Sequence, residues 1–305
     1  DIEYIEDSTS SKIEVLQTIK SGIKLLEAQS ICPAWAFYEF RLGAKQIEDE
    51  DEENLTTRLR GNLFHKTLEE FWTEYKSSSQ VNALNKKELS KKIQEIAHKN
   101  ISIEKKNYPR ILSEFFNIEE MRLVSYLEKW IRHELKRGDF EIKETEKNIS
   151  IQLGCLSFNI KIDRIDEVNQ NNIVIDYKSG TTKTLNEWFL NAYGELQMPF
   201  YALFASNKPI DAIAIGVINS PKPQWIGIGR DKDLLQGIKD SSATKYQSWD
   251  DLISFWKCRI DNAIKSYESG NAAVKFTREK DLAYCKVKPI LRLPERILQF
   301  EQTNQ

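Results

Sequence analysis

The sequence lacks the features that mark secreted and membrane proteins. Its 305 residues include only four cysteines, none of them in a C-x-x-C pair, which argues against a disulfide scaffold and favours a reducing compartment such as the cytoplasm. No apolar run approaches the length of a membrane span, and no basic segment followed by an apolar one marks a signal peptide. The chain begins at Asp1, not at methionine, so we expect it to be a piece of a longer protein.

An excess of charge of one sign is also missing. The net charge of −2 gives no overall signature of nucleic-acid binding. Locally, Glu48 to Glu53 is an acidic run that we expect to be a solvated loop, whereas Lys86 to Arg110 is basic. The basic segment has two interpretations, an ordinary solvated helix face or a surface that binds DNA phosphates. In the second interpretation the DNA-binding side chains include Lys86, Lys87, Lys91 and Lys92.

The residues that are present suit a packed core, since 40% are hydrophobic and 10% aromatic. Their periodicity predicts helices first and strands afterwards. The predicted helices are 10–42, Thr56 or Thr57 to Tyr75, 86–107, 109–137, 185–205 and 248–269, and the predicted strands are 142–153, 156–167, 173–177, 212–218 and 224–229, the last two forming a hairpin around Pro221 and Pro223. This order predicts one α/β domain over residues 1–305. It comprises a helical N-terminal part and insertion (about 10–138), an α/β core (about 139–270) and an irregular C-terminal segment (271–305).

The most informative stretch runs from Ile160 to Gly180. Two alternating, β-branched runs predict adjacent strands joined by a polar turn at Asn169 to Asn172. Asp163 lies on the first strand, and Asp176 and Lys178 lie two residues apart on the second, so the latter two share a face. Two carboxylates and a lysine at the edge of an apolar sheet suit a divalent cation and a water molecule to be activated. The alternative is a surface hairpin with ordinary ion pairs.

These two strands resemble the Ile-Asp-Arg-Ile-Asp and Asp-Tyr-Lys-Ser-Gly motifs of the PD-(D/E)xK nuclease superfamily, and within it the RecB/AddB-type exonuclease domains. Arg60 to Phe71 resembles the Gly-x-x-x-His helix of that family, and Glu195 to Ala202 resembles its Gln-Leu-x-x-Tyr-Ala helix. The resemblance extends from about Ser30 to about Arg292. The chain departs from it at Ile160, where glycine is usual.

The resemblance implies a restriction-endonuclease-like core, a small mixed sheet flanked by helices, with a helical insertion between Glu74 and Gly138. It also implies Mg²⁺ or Mn²⁺ as cofactor. The metal ligands would be His65, Asp163, Asp176 and the carbonyl oxygen of Tyr177, and the catalytic residues would be Asp163, Asp176, Lys178 and Gln197, with Tyr201 near a DNA phosphate.

Several of these residues also have simpler interpretations. His65 could be a half-buried helix histidine, and Gln197 and Tyr201 could be a polar edge and a core aromatic on one helix face. Glu146 corresponds to an acidic position that the family often has on the preceding strand, with Glu144 as its competitor. Arg164 and Asp166 match the motif but are expected to position the strand, not to bind metal.

The implied function is that of a metal-dependent DNA nuclease, an exonuclease that acts in DNA repair or recombination. Its expected partners are DNA and a helicase subunit or a helicase-like domain of the same longer chain. No association with a membrane is expected. The alternative is a weakly active or inactive module that binds DNA or a helicase partner. The sequence also leaves open an RNA-directed or CRISPR-associated enzyme of the same fold.

Many AddB-type relatives hold an iron–sulfur cluster on four cysteines, and here only two of those positions keep the thiol. Cys32-Pro33 fits the first position and Cys285 fits one of the last three, but Leu282 and Leu291 occupy the other two. Two thiolates cannot replace four. We therefore expect no iron–sulfur cluster, and an apolar contact between Cys32 and Cys285 in its place.

Overall fold

The computed structural model describes residues 8–13, 19–46, 55–179, 185–189, 194–218 and 222–295. Three features of the sequence lie outside these ranges. They are the acidic run Glu48–Glu53, the motif residue Gly180 and the turn residue Pro221.

The described helices lie before the main strands, between two of them and after them. They are α1 (Ile23–Ile31), α2 (Pro33–Ala36), which continues into a π-helical turn at Phe37–Arg41, α3 (Thr57–Glu74), α4 (Ser78–Asn82), α5 (Lys86–Asn107), α6 (Ser113–Glu134), α7 (Gln197–Phe204) and α8 (Trp249–Glu268). Short 3-10 turns include Leu135–Arg137, Leu185–Phe189, Glu279–Tyr284 and Lys288–Leu291.

Among the described residues, seven strands form one mixed sheet. They are β1 (Ile19–Ser21), β2 (Glu141–Leu153), β3 (Leu156–Val168), β4 (Asn171–Lys178), β5 (Ala212–Val217), β6 (Gln224–Gly229) and β7 (Lys239–Asp240). The strand order is β1-β3-β4-β5-β6-β7, with β2 paired to β3 outside this sequence of neighbours. β2 pairs with nearly the whole length of one edge of β3. The other edge of β3 pairs with β1 at its start and with β4 at its end. β4 and β5 are parallel, and β5 and β6 form the predicted antiparallel hairpin.

Each face of the sheet packs against its own set of helices. Val174 on β4 belongs to a core with residues of α1, α2, α7 and α8. Its neighbours Ile173 and Ile175 point the other way, into a core with α3, α5 and α6. α3 and the helical insertion therefore cover one face of the sheet, and α1, α2, α7 and α8 cover the other.

Four predicted elements differ from the observed ones. The segment 10–42 contains the strand β1 in addition to helices, because Ile19–Ser21 pairs with Leu156–Phe158 of β3. The predicted helix 109–137 begins only at Ser113. The predicted turn at Asn169 to Asn172 is tighter, since Asn169 and Gln170 alone adopt positive φ (49° and 67°), as a two-residue hairpin turn requires.

The predicted helix 185–205 is interrupted at Gly194. Gly194 has a φ of 142°, and a Cβ at this position would clash with the carbonyl oxygen of Glu187. Only glycine tolerates such a position. The described parts are therefore a 3-10 turn at Leu185–Phe189 and the helix α7, and residues 190–193 lie outside the described ranges.

Candidate active site

Two carboxylates meet where β3 and β4 run side by side. Arg164 pairs with Ile175, which places Asp163 across from Asp176 one position further along. The backbone N–H of Tyr177 donates to Asp163 Oδ2 at 2.8 Å. The carboxylate of Asp163 is therefore fixed against the end of β4, and Asp176 is almost fully buried beside it.

His65 reaches this pair from α3. The helix begins where the side chain of Thr56 accepts a hydrogen bond from the N–H of Leu59, and His65 lies two turns further on. Its Nδ1 lies 3.1 Å from Asp163 Oδ2. Burial opposes a charged imidazole, but the hydrogen bond to Asp163 and the nearby carboxylates outweigh burial and raise the pKa of His65.

Lys178 and Gln197 complete a closed set of contacts around Asp176. The ammonium of Lys178 lies 2.7 Å from Asp176 Oδ2 and donates to Gln197 Oε1 at 3.2 Å. The amide Nε2 of Gln197 donates to Asp176 Oδ1 at 3.0 Å. Burial lowers the pKa of Lys178, but the charge of Asp176 outweighs it and the net pKa is raised, so the lysine is a cation.

Tyr201 lies one turn after Gln197 on α7 and is buried. Gln197 Nε2 lies 2.9 Å from its hydroxyl, and the hydroxyl donates to the carbonyl oxygen of Lys161 at 3.0 Å. The hydroxyl thus links α7 to β3 and orients the amide of Gln197. A contact of Tyr201 with a DNA phosphate stays a prediction.

Glu146, not Glu144, lies beside the carboxylate pair. Pairing of Thr145 with Arg164 and of Lys147 with Ile162 sets Glu146 opposite Asp163. Carboxylate oxygens of Glu146 and Asp163 and a nitrogen of His65 lie within 4.8 Å of one another. Glu144 instead pairs with Lys147 at 2.9 Å. Glu146 has a φ of 49°, and this local break in the strand is not readable from the sequence.

The donor set fits a hard divalent cation. Burial and the charge of Asp163 raise the pKa of Asp176 to about 6, against the opposing effect of Lys178. A buried carboxylate whose pKa is raised by a neighbouring carboxylate lies in an excess of negative charge, which a divalent cation would neutralise. Oxygen ligands suit Mg²⁺, and an imidazole extends the choice to Mn²⁺. Ligand atoms of His65, Glu146 and Asp163 lie close enough together to hold such a cation. Metal binding by His65, Asp163, Asp176 and the Tyr177 carbonyl oxygen stays a prediction.

The other two charged residues of the motif belong to a buried ionic network beneath the helical insertion. Arg164 and Asp166 are fully buried and bonded to each other at 2.5 Å and 2.7 Å. Arg164 also contacts Glu134 of α6 at 2.6 Å and donates to the hydroxyl of Tyr177 at 2.9 Å. Asp166 accepts from Arg137. This placement agrees with the expected positioning role, because the network joins the motif strand to the helical insertion.

Three of the seven lysines of α5 form ion pairs with acidic side chains. Lys92 lies 2.7 Å from Glu74, Lys91 lies 3.8 Å from Glu95, and Lys99 lies 3.0 Å from Glu70. Lys86 and Lys87 are exposed at the start of the helix. These pairs favour the solvated helix face, and DNA binding by Lys86, Lys87, Lys91 and Lys92 stays a prediction.

The two cysteines of the degenerate cluster motif share one apolar core. Cys32, Leu282, Cys285 and Leu291 are all buried in the core that contains α1, α2, α7 and α8. Burial is the main cause that raises the pKa of the Cys285 thiol to about 11, and the proximity of Cys32 adds to it. The segments from the two ends of the chain therefore pack together where the resemblance predicts.

Sequence reasoning assigned no role to three polar residues near the site. Glu195 is buried next to the start of α7 and accepts from the indole of Trp188 at 2.8 Å. Glu27 of α1 accepts from the N–H of Leu196 at 2.8 Å. Lys161 forms an ion pair with Glu146. Glu195 and Lys161 lie inside the recognised motifs, but only the fold shows what they contact.

A family model of the PD-(D/E)XK nuclease superfamily matches residues 24–290. The match covers most of the chain. The fold of the chain, a mixed sheet flanked by helices, agrees with that family. The chain therefore belongs to the PD-(D/E)XK nuclease superfamily. A search of curated proteins found no match. Among the described helices, none combines the length and apolar character needed to cross a bilayer.

Proposed function

We propose that the chain is a Mg²⁺- or Mn²⁺-dependent deoxyribonuclease of the RecB/AddB exonuclease type that acts in DNA repair or recombination in the cytoplasm. Membership of the superfamily supports metal-dependent phosphodiester hydrolysis. The observation that carries the proposal is the closed arrangement of Asp176, Lys178 and Gln197 beside the paired Asp163 and His65. A buried acid with a raised pKa beside a histidine and a lysine is typical of a catalytic site and favours an active enzyme over an inactive module.

Each protein group has a distinct task in this proposal. When bound, the cation would polarise the phosphodiester and favour ionisation of the attacking water. Lys178 supplies a fixed positive charge next to the water and to the charge that develops on the phosphate. Gln197 holds Lys178 and Asp176 in register through its two amide contacts. His65 and the Tyr177 N–H orient Asp163.

The proposal is tested with end-labelled single- and double-stranded DNA in Mg²⁺, in Mn²⁺ and in EDTA. Wild-type protein should cut only with a divalent cation, and Asp176→Asn should reduce the rate by at least about a hundredfold, as expected when a group that holds the cation is lost. A matched control is Asp261→Asn, because Asp261 also pairs with a lysine, Lys257, at 3.1 Å but lies on the exposed side of α8. Cleavage in EDTA, or equal rates for the two variants, would contradict the proposal.

A further inference from the structure

The outward face of the β2–β3 ribbon is polar and begins at the candidate active site. Beyond the opposed Asp163 and Glu146, the register pairs Lys161 with Asn148, Asn159 with Ser150 and Ser157 with Gln152. These six side chains are exposed or half-exposed. The alternate residues Leu156, Phe158 and Ile160 are buried in the core on the other face. The ribbon therefore presents three cross-strand pairs of polar side chains, Lys161 with Asn148, Asn159 with Ser150 and Ser157 with Gln152, which lead away from the acidic cluster. Each pair is called a polar rung below.

The chemistry of these rungs suits a phosphate chain. They carry one lysine, three amides and two hydroxyls but no carboxylate, although 30% of the whole chain is charged. Amide, hydroxyl and lysine side chains are the usual donors to nucleic-acid phosphates. Successive rungs are about 6.6–6.8 Å apart, which is similar to the separation of neighbouring phosphates along one strand. Asn148, Ser150, Asn159 and Lys161 also line a surface depression of about 340 Å³.

Lys161 links the first rung to the catalytic cluster. Its side chain is 54% exposed, and its ammonium forms an ion pair with Glu146. Glu146 is also within reach of the ligand atoms of His65 and Asp163. A cation held by those groups would compete with Lys161 for the Glu146 carboxylate, which would leave the lysine available to an anion at the edge of the site. The backbone of Lys161 is fixed by the hydroxyl of Tyr201.

We propose that Lys161 and the polar rungs beyond it form a subsite for the phosphates of a single DNA strand that adjoin the scissile phosphate. The inference rests on the proposed function for the identity of the ligand and extends it to the path of the strand. It makes Lys161 a substrate-binding residue that contacts a phosphate next to the one that is cut.

The test is the salt dependence of binding of a fluorescein-labelled oligothymidylate, measured by anisotropy with Ca²⁺ as the only divalent cation. Lys161→Ala should weaken binding and reduce the slope of log K against log salt by about 0.7, the value for one lost phosphate contact on a single strand. Lys161→Arg should keep the wild-type slope. Asn159→Asp, which places a negative charge on the next rung, should also weaken binding.

The matched control is Lys147→Ala. Lys147 lies on the same ribbon but pairs with Ile162 and forms an ion pair with Glu144 at 2.9 Å, so its loss should leave the slope unchanged. An unchanged slope for Lys161→Ala, or an equal decrease for Lys147→Ala, overturns the subsite. Thermal melts by circular dichroism confirm that each variant is folded. The binding assay needs no cleavage, so it tests the subsite independently of the proposed function. A wild-type protein that fails to cut DNA would refute the proposed function, and the salt slopes would still show whether Lys161 contacts a phosphate.

Discussion

Buried carboxylates next to the catalytic residues give this molecule an unusual dependence on pH. Burial raises the pKa of Glu195 to about 7 and, together with the charge of Asp163, raises that of Asp176 to about 6. In the unfolded chain both groups titrate near their ordinary values of 4.5 and 3.8. At a pH between the unfolded-state and folded-state pKa values, the folded state binds more protons than the unfolded state. The free energy of unfolding of the cation-free protein should therefore fall as the pH rises through this range.

Glu195→Gln isolates the Glu195 part of this effect. The stability that Glu195 contributes is fully present below about pH 4.5 and is lost as the pH rises through about 7. A glutamine can still accept the hydrogen bond from Trp188 and cannot ionise. We expect urea unfolding in EDTA to show that the free energy of unfolding of the variant, relative to that of wild type, increases on the order of 2–3 kcal/mol between pH 4.5 and pH 8. Parallel pH profiles for the two proteins would contradict this assignment.

At the scale of elements, the placement of Gln197 depends on how α7 begins. The N–H of Leu196, the residue that precedes the helix, is held by Glu27 of α1. This contact crosses between helices from distant parts of the chain and fixes the first turn of α7, from which Gln197 reaches Asp176 and Lys178.

Glu27→Ala should therefore lower kcat for DNA cleavage by roughly tenfold to a hundredfold with little change in KM, since a displaced Gln197 misplaces the reacting groups. Glu27→Gln keeps an acceptor for the Leu196 N–H and should restore most of the activity. Steady-state kinetics on labelled DNA, with melting temperatures measured in parallel, make the comparison. If both variants lose activity equally, the charge of Glu27 matters and not its hydrogen bond.

The sequence predicts elements well where one physical rule decides them. Alternation of apolar residues predicts β2, β3 and β4 closely, and the face shared by Asp176 and Lys178 follows from the two-residue period of a strand. The family resemblance pointed to Glu146, but the sequence could not decide between it and Glu144, because the position of Glu146 depends on a left-handed backbone angle within β2. Likewise the sequence does not show that Gly194 has a φ of 142° or that a side chain at this position would clash with the carbonyl oxygen of Glu187.

For the whole molecule, a buried ionic network connects the helical insertion to the motif strand. Arg164, packed on the ring of Trp72 at 4.2 Å, pairs with both Asp166 and Glu134, and Arg137 joins the same group. Asp163 and Asp166 lie three residues apart in one motif, yet one faces the candidate metal site and the other faces this network. Their substitutions should therefore have opposite consequences.

Asp166→Ala should destabilise the protein by about 3–5 kcal/mol, because it leaves the two buried guanidinium groups of Arg164 and Arg137 with Glu134 as their one shared carboxylate. Asp163→Asn removes a charge that raises the pKa of Asp176 and should leave the free energy of unfolding in EDTA near or above the wild-type value. Urea unfolding followed by tryptophan fluorescence measures both. A small effect of Asp166→Ala would show that the insertion is held by apolar packing alone.

The second feature at this scale is the contact between the two ends of the chain around Cys32 and Cys285. With Leu282 and Leu291 buried in the same core, we expect a protein without iron whose stability does not depend on chelators. Cysteine packs as a small hydrophobe at such a position. Analysis of anaerobically purified protein for iron and sulfide, with visible absorbance, checks this expectation. Stoichiometric iron and sulfide would refute it.

The most direct test of the account separates cation binding from catalysis at one residue, Lys178. Its ammonium lies 2.7 Å from Asp176 and competes with a cation for that carboxylate. Lys178→Ala should thus bind Mn²⁺ in a calorimetric titration at least as tightly as wild type, and yet show no detectable cleavage of labelled DNA. Cleavage by this variant at a rate near that of wild type would contradict the central claim that Lys178 acts in a metal-dependent nuclease site.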